Sequence, residues 1–209
     1  MSTNEYTQIG WIGLGQMGNP MVTRLLNAGI EVGVYNRSPD KTADLADKGA
    51  KVYASTVELI RAFPVIFLMV SDFAAVRDIL SEEVRKELAG KIIVNMSTIA
   101  PSENLAVKEL VEAAGGQFAE APVSGSVGPA TNGTLLVLFG GEDSVLTVEI
   151  SSVVYSISRR ILKHEHAQKH PPHPAPPTSH LAGLHTGEGK RHLPGTPLPS
   201  QPRHHLPRP

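Results

Sequence analysis

The sequence predicts an α/β domain, a doubly wound and mostly parallel sheet over residues 1–162, followed by a disordered Pro/His-rich tail over residues 163–209. Three observations carry this reading. Short β-branched runs alternate with amphipathic stretches, several of the runs are apolar on both faces, and both patterns stop near Lys163. A strand that is apolar on both faces needs cover on both sides, which is the situation of a parallel strand between two layers of helices.

Taken in order, the first strand is "QIGWIG" (8–13), and a glycine-rich turn follows it. Pro20 then stands near the first turn of a helix that places Met21, Val22, Leu25 and Leu26 on one face and closes at Gly29. "EVGVYN" (31–36) is the second strand, after which Ser38 and Pro39 form an N-cap and N1 pair. "KVYA" (51–54) is a third strand, and "STVE" (55–58) is a capping box that opens the next helix. "VIFLMV" (65–70), "KIIVNM" (91–96), "QFAEAPV" (117–123) and "TLLVLFGG" (134–141) continue the strand series. A helix from Asp143 to about Ser156 and a short last strand, "SRRIL" (158–162), complete it.

Composition divides the chain at the same place. Residues 1–162 hold 13 Lys+Arg against 18 Asp+Glu, a net of −5, whereas 163–209 hold 6 against 2, a net of +4. All nine histidines and 11 of the 17 prolines lie in the second segment, which has no Val, Ile, Met, Phe, Tyr or Trp. Leu and Ala alone cannot offset roughly 1–2 kcal/mol of ordering entropy per residue, so this segment is expected to be disordered. The 209 residues include no cysteine, which excludes disulfides, thiolate nucleophiles and Cys-type zinc sites. "MSTNEYTQ" has no basic or apolar leader pattern, and the longest apolar runs fall far short of the roughly 20 residues of a membrane helix. A cytoplasmic protein with no membrane and no nucleic-acid partner is expected.

The motif with chemistry in it is "GLGQMG": Gly13, Leu14, Gly15, Gln16, Met17 and Gly18. Alone, G-x-G-x-x-G is weak evidence, because glycines serve ordinary turns. Here it closes a strand and opens a helix, the context of a Rossmann-like dinucleotide site. Gly13 makes the tight turn, Gly15 lets backbone approach a pyrophosphate, and Gly18 lets helix and strand pack. The anion then sits on the helix N-terminus. At the end of the second strand, where an NAD site carries a carboxylate for the ribose 2′-OH, this chain has Asn36, Arg37 and Ser38. A guanidinium pairs with a 2′-phosphate through two parallel bonds, so NADP(H) is expected over NAD(H), the alternative being a solvated surface arginine.

Together "IGWIGLGQMGNPM", "VYNRSP", "NMSTIAP" and "APVSGSVGPATNGTL", in that order, resemble the β-hydroxyacid dehydrogenase family, which includes 3-hydroxyisobutyrate dehydrogenase and the glyoxylate/succinic semialdehyde reductases. The resemblance covers about Gln8 to Leu162. It implies hydride transfer between NADP(H) and a small carboxylate-bearing β-hydroxyacid or semialdehyde. It also implies that Val70 and Ser71 pass the cofactor ribose, that Thr98 lies beside the nicotinamide, and that Ser124 and Gly125 hold the substrate carboxylate. Ser126 stands where the family often has a third glycine.

The chain departs from the family after Leu162. Members continue through a glycine-rich turn into an all-helical second domain bearing a lysine, with an asparagine four residues on, and that lysine is the expected proton donor. No such pair occurs here, and Lys190 is followed four residues later by Pro194. No catalytic residue is therefore assigned. Activity is expected to be crippled and the family's homo-oligomer interface missing, with a catalytically dead NADPH-binding or partner-binding protein as the alternative. The histidines of "ILKHEHAQKHPPHPAPP" (161–177) lack a standard metal spacing, and the P-x-x-P spacing of Pro171, Pro174 and Pro177 follows from composition alone. A change of reading frame near Lys163 accounts for the shift in one event, and splicing into unrelated sequence would look the same.

Overall fold

The computed structural model describes residues 8–164. Of the tail expected from Lys163, the first two residues belong to the last strand, and the expectations for its remainder, for its histidine and proline side chains and for Lys190 lie outside the described residues. In chain order the elements are β1 (Gln8–Ile12), α1 (Gly18–Asn27), β2 (Glu31–Tyr35), α2 (Ala43–Ala46), β3 (Lys51–Val52), α3 (Thr56–Ala62), β4 (Val65–Leu68), α4 (Phe73–Ile79), α5 (Glu82–Arg85), β5 (Ile92–Asn95), α6 (Pro101–Ala113), β6 (Gln117–Glu120), β7 (Val123–Ser124), α7 (Val127–Asn132), β8 (Leu135–Gly140), α8 (Val148–Ile157) and β9 (Ser158–His164). A 3₁₀ turn, Pro39–Thr42, leads into α2.

One sheet runs β3-β2-β1-β4-β5-β6-β8-β7, with β9 also paired to β8. The six strands from β3 to β6 are parallel, and β8 lies antiparallel to β6 and β7. The order 3-2-1-4-5-6 is that of the dinucleotide-binding doubly wound sheet, and its direction of winding reverses between β1 and β4. The alternating strand side chains divide the core in two. Ile9, Trp11, Phe67 and Val94 pack with Met21, Val22 and Leu25 of α1 and with Ile150, Val153 and Val154 of α8. Ile12, Ile66, Leu68 and Ile93 pack with residues of α3 to α6, among them Leu59, Val76 and Val107.

Local differences from the sequence reading have local causes. The stretch 117–123 is not one strand. It breaks between β6 and β7 at Pro122, which has no N–H to donate to a ladder. The last helix starts at Val148 instead of Asp143, because Thr147 caps it by accepting from the Ile150 N–H, while 142–146 forms turns. Ser38 adopts the extended N-cap conformation ahead of Pro39, but its side chain makes no cap bond. In "STVE" Ser55 Oγ accepts from the Glu58 N–H, as a capping box requires, yet Glu58 Oε2 reaches the N–H of Ala54, not that of Ser55. β9 continues past Leu162 to His164, in register with Phe139 and Gly140, since ladder bonding makes no demand on side-chain type. Lys163 adds an ion pair to Asp143 at 3.0 Å, with both side chains exposed.

Trp11 ties the centre of the sheet to the turn that follows it. It is fully buried and stacks on Phe67 with ring centroids 5.6 Å apart, and its Nε1–H donates to the Gly13 carbonyl at 3.0 Å. Trp11→Phe leaves that buried acceptor without its donor and a gap beside Phe67. The expected loss is about 2–4 kcal/mol in urea unfolding, and a loss under roughly 0.5 kcal/mol would remove the indole bond from this account.

Candidate functional site

The carboxyl ends of β1, β2 and β4 border one cleft of about 520 Å³, which lies at the point where the winding reverses. Its floor is the glycine turn. Gly13 has φ +102°, donates its N–H to the Tyr35 carbonyl at 3.1 Å, and lies so close to β4 that a Cβ would stand 2.2 Å from the Met69 carbonyl oxygen. Gly18 faces inward as well, since a Cβ there would stand 2.1 Å from the Gly13 carbonyl oxygen. Gly15 is the opposite case, because a Cβ on it would meet no protein atom within 4 Å. The backbone at Gly15 is thus bare toward the cleft, with room for a group that approaches it directly.

α1 begins at this turn without a cap of its own. Met17 is its N-cap and makes no side-chain bond, and its first turn has no acidic residue. Asn19 gives its N–H to the Gly15 carbonyl at 3.1 Å and Pro20 has none, so what this end turns toward an anion is chiefly its positive dipole. α3, α4 and α5 are capped by Ser55, Asp72 and Ser81. The open space at Gly15 together with the uncapped helix fits the diphosphate of a dinucleotide.

Asn36 has a structural task at the rim. Its Oδ1 accepts from the Leu14 N–H at 2.9 Å and its Nδ2 donates to the Ser38 carbonyl at 3.0 Å, which ties the glycine turn to the loop after β2. Arg37, Ser38 and Lys41 border the same cleft, as do Thr56 and Asp78. Sequence reasoning alone misses Lys41, although a signal for it exists, a second basic residue four positions after Arg37 in a short polar loop.

On the β4 side, Val70 and Ser71 also border the cleft. Asp72 caps α4 by accepting from the Ala75 N–H at 2.8 Å and takes the Ser71 hydroxyl at 2.7 Å. The Ala75 N–H first, then the Ser71 hydroxyl, and to a lesser extent the charge of Arg37 hold its carboxyl below the usual range. Behind this loop runs a buried polar chain that the sequence reading missed. The Val70 N–H donates to Ser97 Oγ at 3.0 Å, the Ser97 N–H to Asn95 Oδ1 at 3.1 Å, and Asn95 Nδ2 to Asn104 Oδ1 at 2.9 Å. It joins the ends of β4 and β5.

The cleft therefore gathers Gly13, Gly15, Gln16, Met17, Gly18, Asn36, Arg37, Ser38, Val70 and Ser71. Leu14 does not line it, being buried with its N–H taken by Asn36. Thr98, Ser124, Gly125 and Ser126 stand outside this cleft, all exposed. Thr98 follows Ser97 in the loop after β5, Ser124 ends β7, and Ser126 precedes α7. Among the described residues no group of three or more His, Cys, Asp or Glu is arranged to hold a metal ion.

Sheet order, reversal point and glycine turn define a dinucleotide-binding domain of the doubly wound class. Residues 8–164 match the family described as the NAD binding domain of 6-phosphogluconate dehydrogenase, and the chain belongs to that family. It is 34% identical over 146 residues to glyoxylate/succinic semialdehyde reductase 1 of Arabidopsis thaliana, covering 68% of this chain and 50% of that protein. It is 36% identical over 140 residues to the cytokine-like nuclear factor N-PAC of Drosophila melanogaster, covering 65% of this chain and 23% of that one. Among solved structures, Psf3 in complex with NADP+ and 2-OPP superposes with a TM-score of 0.72 at 31% identity, over 76% of this chain and 57% of that one. Further relatives are named 2-hydroxy-3-oxopropionate reductase and mitochondrial 3-hydroxyisobutyrate dehydrogenase, so the resemblance to β-hydroxyacid dehydrogenases holds. The chain spans half the length of the first of these relatives and less of the others.

Two outcomes test this geometry. Gly15→Val should melt with the wild type yet bind NADPH at least about tenfold more weakly, whereas Gly18→Ala should lower the melting temperature because backbone must move. Equal NADPH affinity in Gly15→Val would mean that the open space is not where the diphosphate lies. For Asp72, whose folded pKa is depressed, the capping contribution is complete above the ordinary carboxylate range and is lost as pH falls through its own lower pKa. Asp72→Asn should keep the cap and flatten the acid side of the thermal midpoint below about pH 4; an unchanged profile there would assign the acid sensitivity elsewhere.

Proposed function

We propose that residues 8–164 are the cofactor-binding part of an NADP(H)-linked oxidoreductase acting on a small β-hydroxyacid or its semialdehyde. The observation that carries the proposal is the rim after β2. Arg37, Ser38 and Lys41 border the cleft there, and Asn36 stands in place of a carboxylate. A 2′-phosphate would meet two cations and a hydroxyl, and Arg37 can take it in two parallel bonds. NADP+ in the solved relative is in keeping with this preference.

In this reading the glycine turn and the start of α1 hold the diphosphate, Arg37, Ser38 and Lys41 hold the 2′-phosphate, and Val70 and Ser71 flank the ribose. When bound, the nicotinamide supplies the hydride chemistry. Thr98 orients the ring and Ser124, Gly125 and Ser126 hold the substrate carboxylate by hydroxyl and backbone N–H groups. The other wall of the substrate site and the proton donor are expected from a helical domain, which is not among the described residues. Exposed Val148 and Tyr155 on α8, and Leu138 and Leu162 on β8 and β9, fit a surface that such a domain or a second subunit would cover. Among the described residues no helix is long and apolar enough to cross a membrane, and a cytoplasmic site of action is part of the proposal.

The name of the N-PAC relative favours a second reading, a binding protein built on the same domain. NADPH oxidation with glyoxylate or succinic semialdehyde separates the two. A missing general acid alone lowers the rate by roughly 100- to 10,000-fold, so slow but saturable turnover supports the enzyme, and tight NADPH binding with no turnover supports the binding protein.

Arg37→Ala tests the cofactor assignment. NADPH affinity, measured by titration of its fluorescence, should fall by about 10- to 100-fold while NADH affinity stays within about twofold. An unchanged ratio would return Arg37 to the role of a solvated surface residue.

A further inference from the structure

Arg24 lies in the last turn of α1, at the far end of that helix from the glycine turn, and borders no part of the cofactor cleft. It is half-buried. Its Nε donates to the Ser156 carbonyl at 3.1 Å and its Nη1 to the Thr131 carbonyl at 3.5 Å. Ser156 belongs to the last turn of α8 and Thr131 to the last turn of α7. Last-turn carbonyls have no intrahelical donor and sit at the negative end of the helix dipole. One guanidinium therefore serves the carboxyl ends of two other helices at once.

The exit of α7 is shaped around this group. Gly133 terminates the helix at φ +66°, and a Cβ there would stand 2.5 Å from Arg24 Nε and 2.7 Å from its Cζ. A side chain at 133 would have to push the guanidinium off the position it holds here. α7 is only six residues long, and it begins directly after Ser124, Gly125 and Ser126. Its N-cap, Ser126, makes no side-chain bond, so nothing at that end holds the loop as a capping side chain would. The loop is fixed instead from its two flanks, through β7, where Ser124 pairs with Leu136, and through α7, whose end Arg24 grips.

We propose that Arg24 is a positioning residue for the 124–126 loop, acting through α7. The inference rests on the reading that this loop receives a substrate carboxylate. Arg24 touches neither substrate nor cofactor. It sets where the short helix stops, and hence where the hydroxyl and N–H groups at its start are presented. Lysine cannot reproduce this arrangement in full, because a single ammonium lacks the planar fork that reaches two carbonyls in fixed directions.

The full chain with Arg24→Ala and Arg24→Lys tests this by amide hydrogen exchange, NADPH titration and calorimetric titration of succinate into the NADPH-bound protein. The amides of Ala130 and Thr134, which donate to Ser126 and Pro129 within and after α7, report the helix directly. In Arg24→Ala, exchange over 130–134 should rise by about tenfold or more while peptides covering 8–18 are unchanged and NADPH affinity stays within about twofold. Arg24→Lys should recover part of the protection, and guanidinium ion at low millimolar concentration should recover it in Arg24→Ala. Succinate should bind at least about tenfold more weakly to Arg24→Ala than to the wild type. Unchanged exchange over 130–134 would overturn the proposal. So would a rise that spreads to 8–18 with loss of NADPH binding, which marks a general stabilising residue. If local loosening and its rescue appear but succinate binds neither protein, the positioning role stands and the carboxylate reading is what falls.

Discussion

The Gly13 carbonyl is the point on which the cofactor side of this molecule depends. The Trp11 indole holds it from the sheet, and Gly18 lies against it with no room for one added carbon. These contacts set the angle at which α1 leaves β1. That angle decides which way the first-turn N–H groups face and lets Met21, Val22 and Leu25 enter the core beside Trp11. Core packing and the proposed anion site thus both depend on one turn. Sterics, more than hydrogen-bond energy, make it specific. A bond of this kind contributes on the order of 1 kcal/mol net, whereas a Cβ forced to 2.1 Å from a backbone oxygen cannot be accommodated without moving the helix.

The three glycines of the turn divide their work between fold and site. Gly13 and Gly18 would collide with backbone if substituted, and Gly15 would collide with nothing in the protein. The open space at Gly15 faces the cleft that the carboxyl ends of β1, β2 and β4 border, which is where a bound group could use it. The start of α1 beside it is not closed by a side chain of its own, whereas α3, α4 and α5 are capped by Ser55, Asp72 and Ser81. Steric and electrostatic evidence converge on one spot.

Much of this was legible in the sequence because it depends on neighbours in the chain. The runs at 8–13, 31–36, 65–70 and 91–96 became the parallel core, and "GLGQMG" fell between strand and helix as its spacing required. What depends on distant partners was not legible. Pro122 splits a run whose β-propensity is continuous, and only the pairing of both halves with β8 shows that they are two strands. Asn95 and Ser97 lie within and just after a strand-like run and look like ordinary polar residues; their importance lies in Asn104 and Val70, which the fold brings to them. Arg24 reads as a surface residue of an amphipathic helix until residues 131 and 156 are placed beside it.

In the proposed reading, cofactor choice and loop geometry share one side chain, Asn36. From sequence alone it marks the absence of a ribose-binding acid. In the structure its amide is engaged on both ends, accepting from Leu14 and donating to the Ser38 carbonyl. An aspartate could keep the first bond but not the second, and would set its negative oxygen against the Ser38 carbonyl. The same change would add negative charge beside Arg37, Ser38 and Lys41, where the proposed 2′-phosphate would sit. Both effects act in one direction. The amide that locks the rim in place also adds no charge beside Arg37 and Lys41, so the loop's geometry and its proposed preference for a phosphorylated ribose have a common origin.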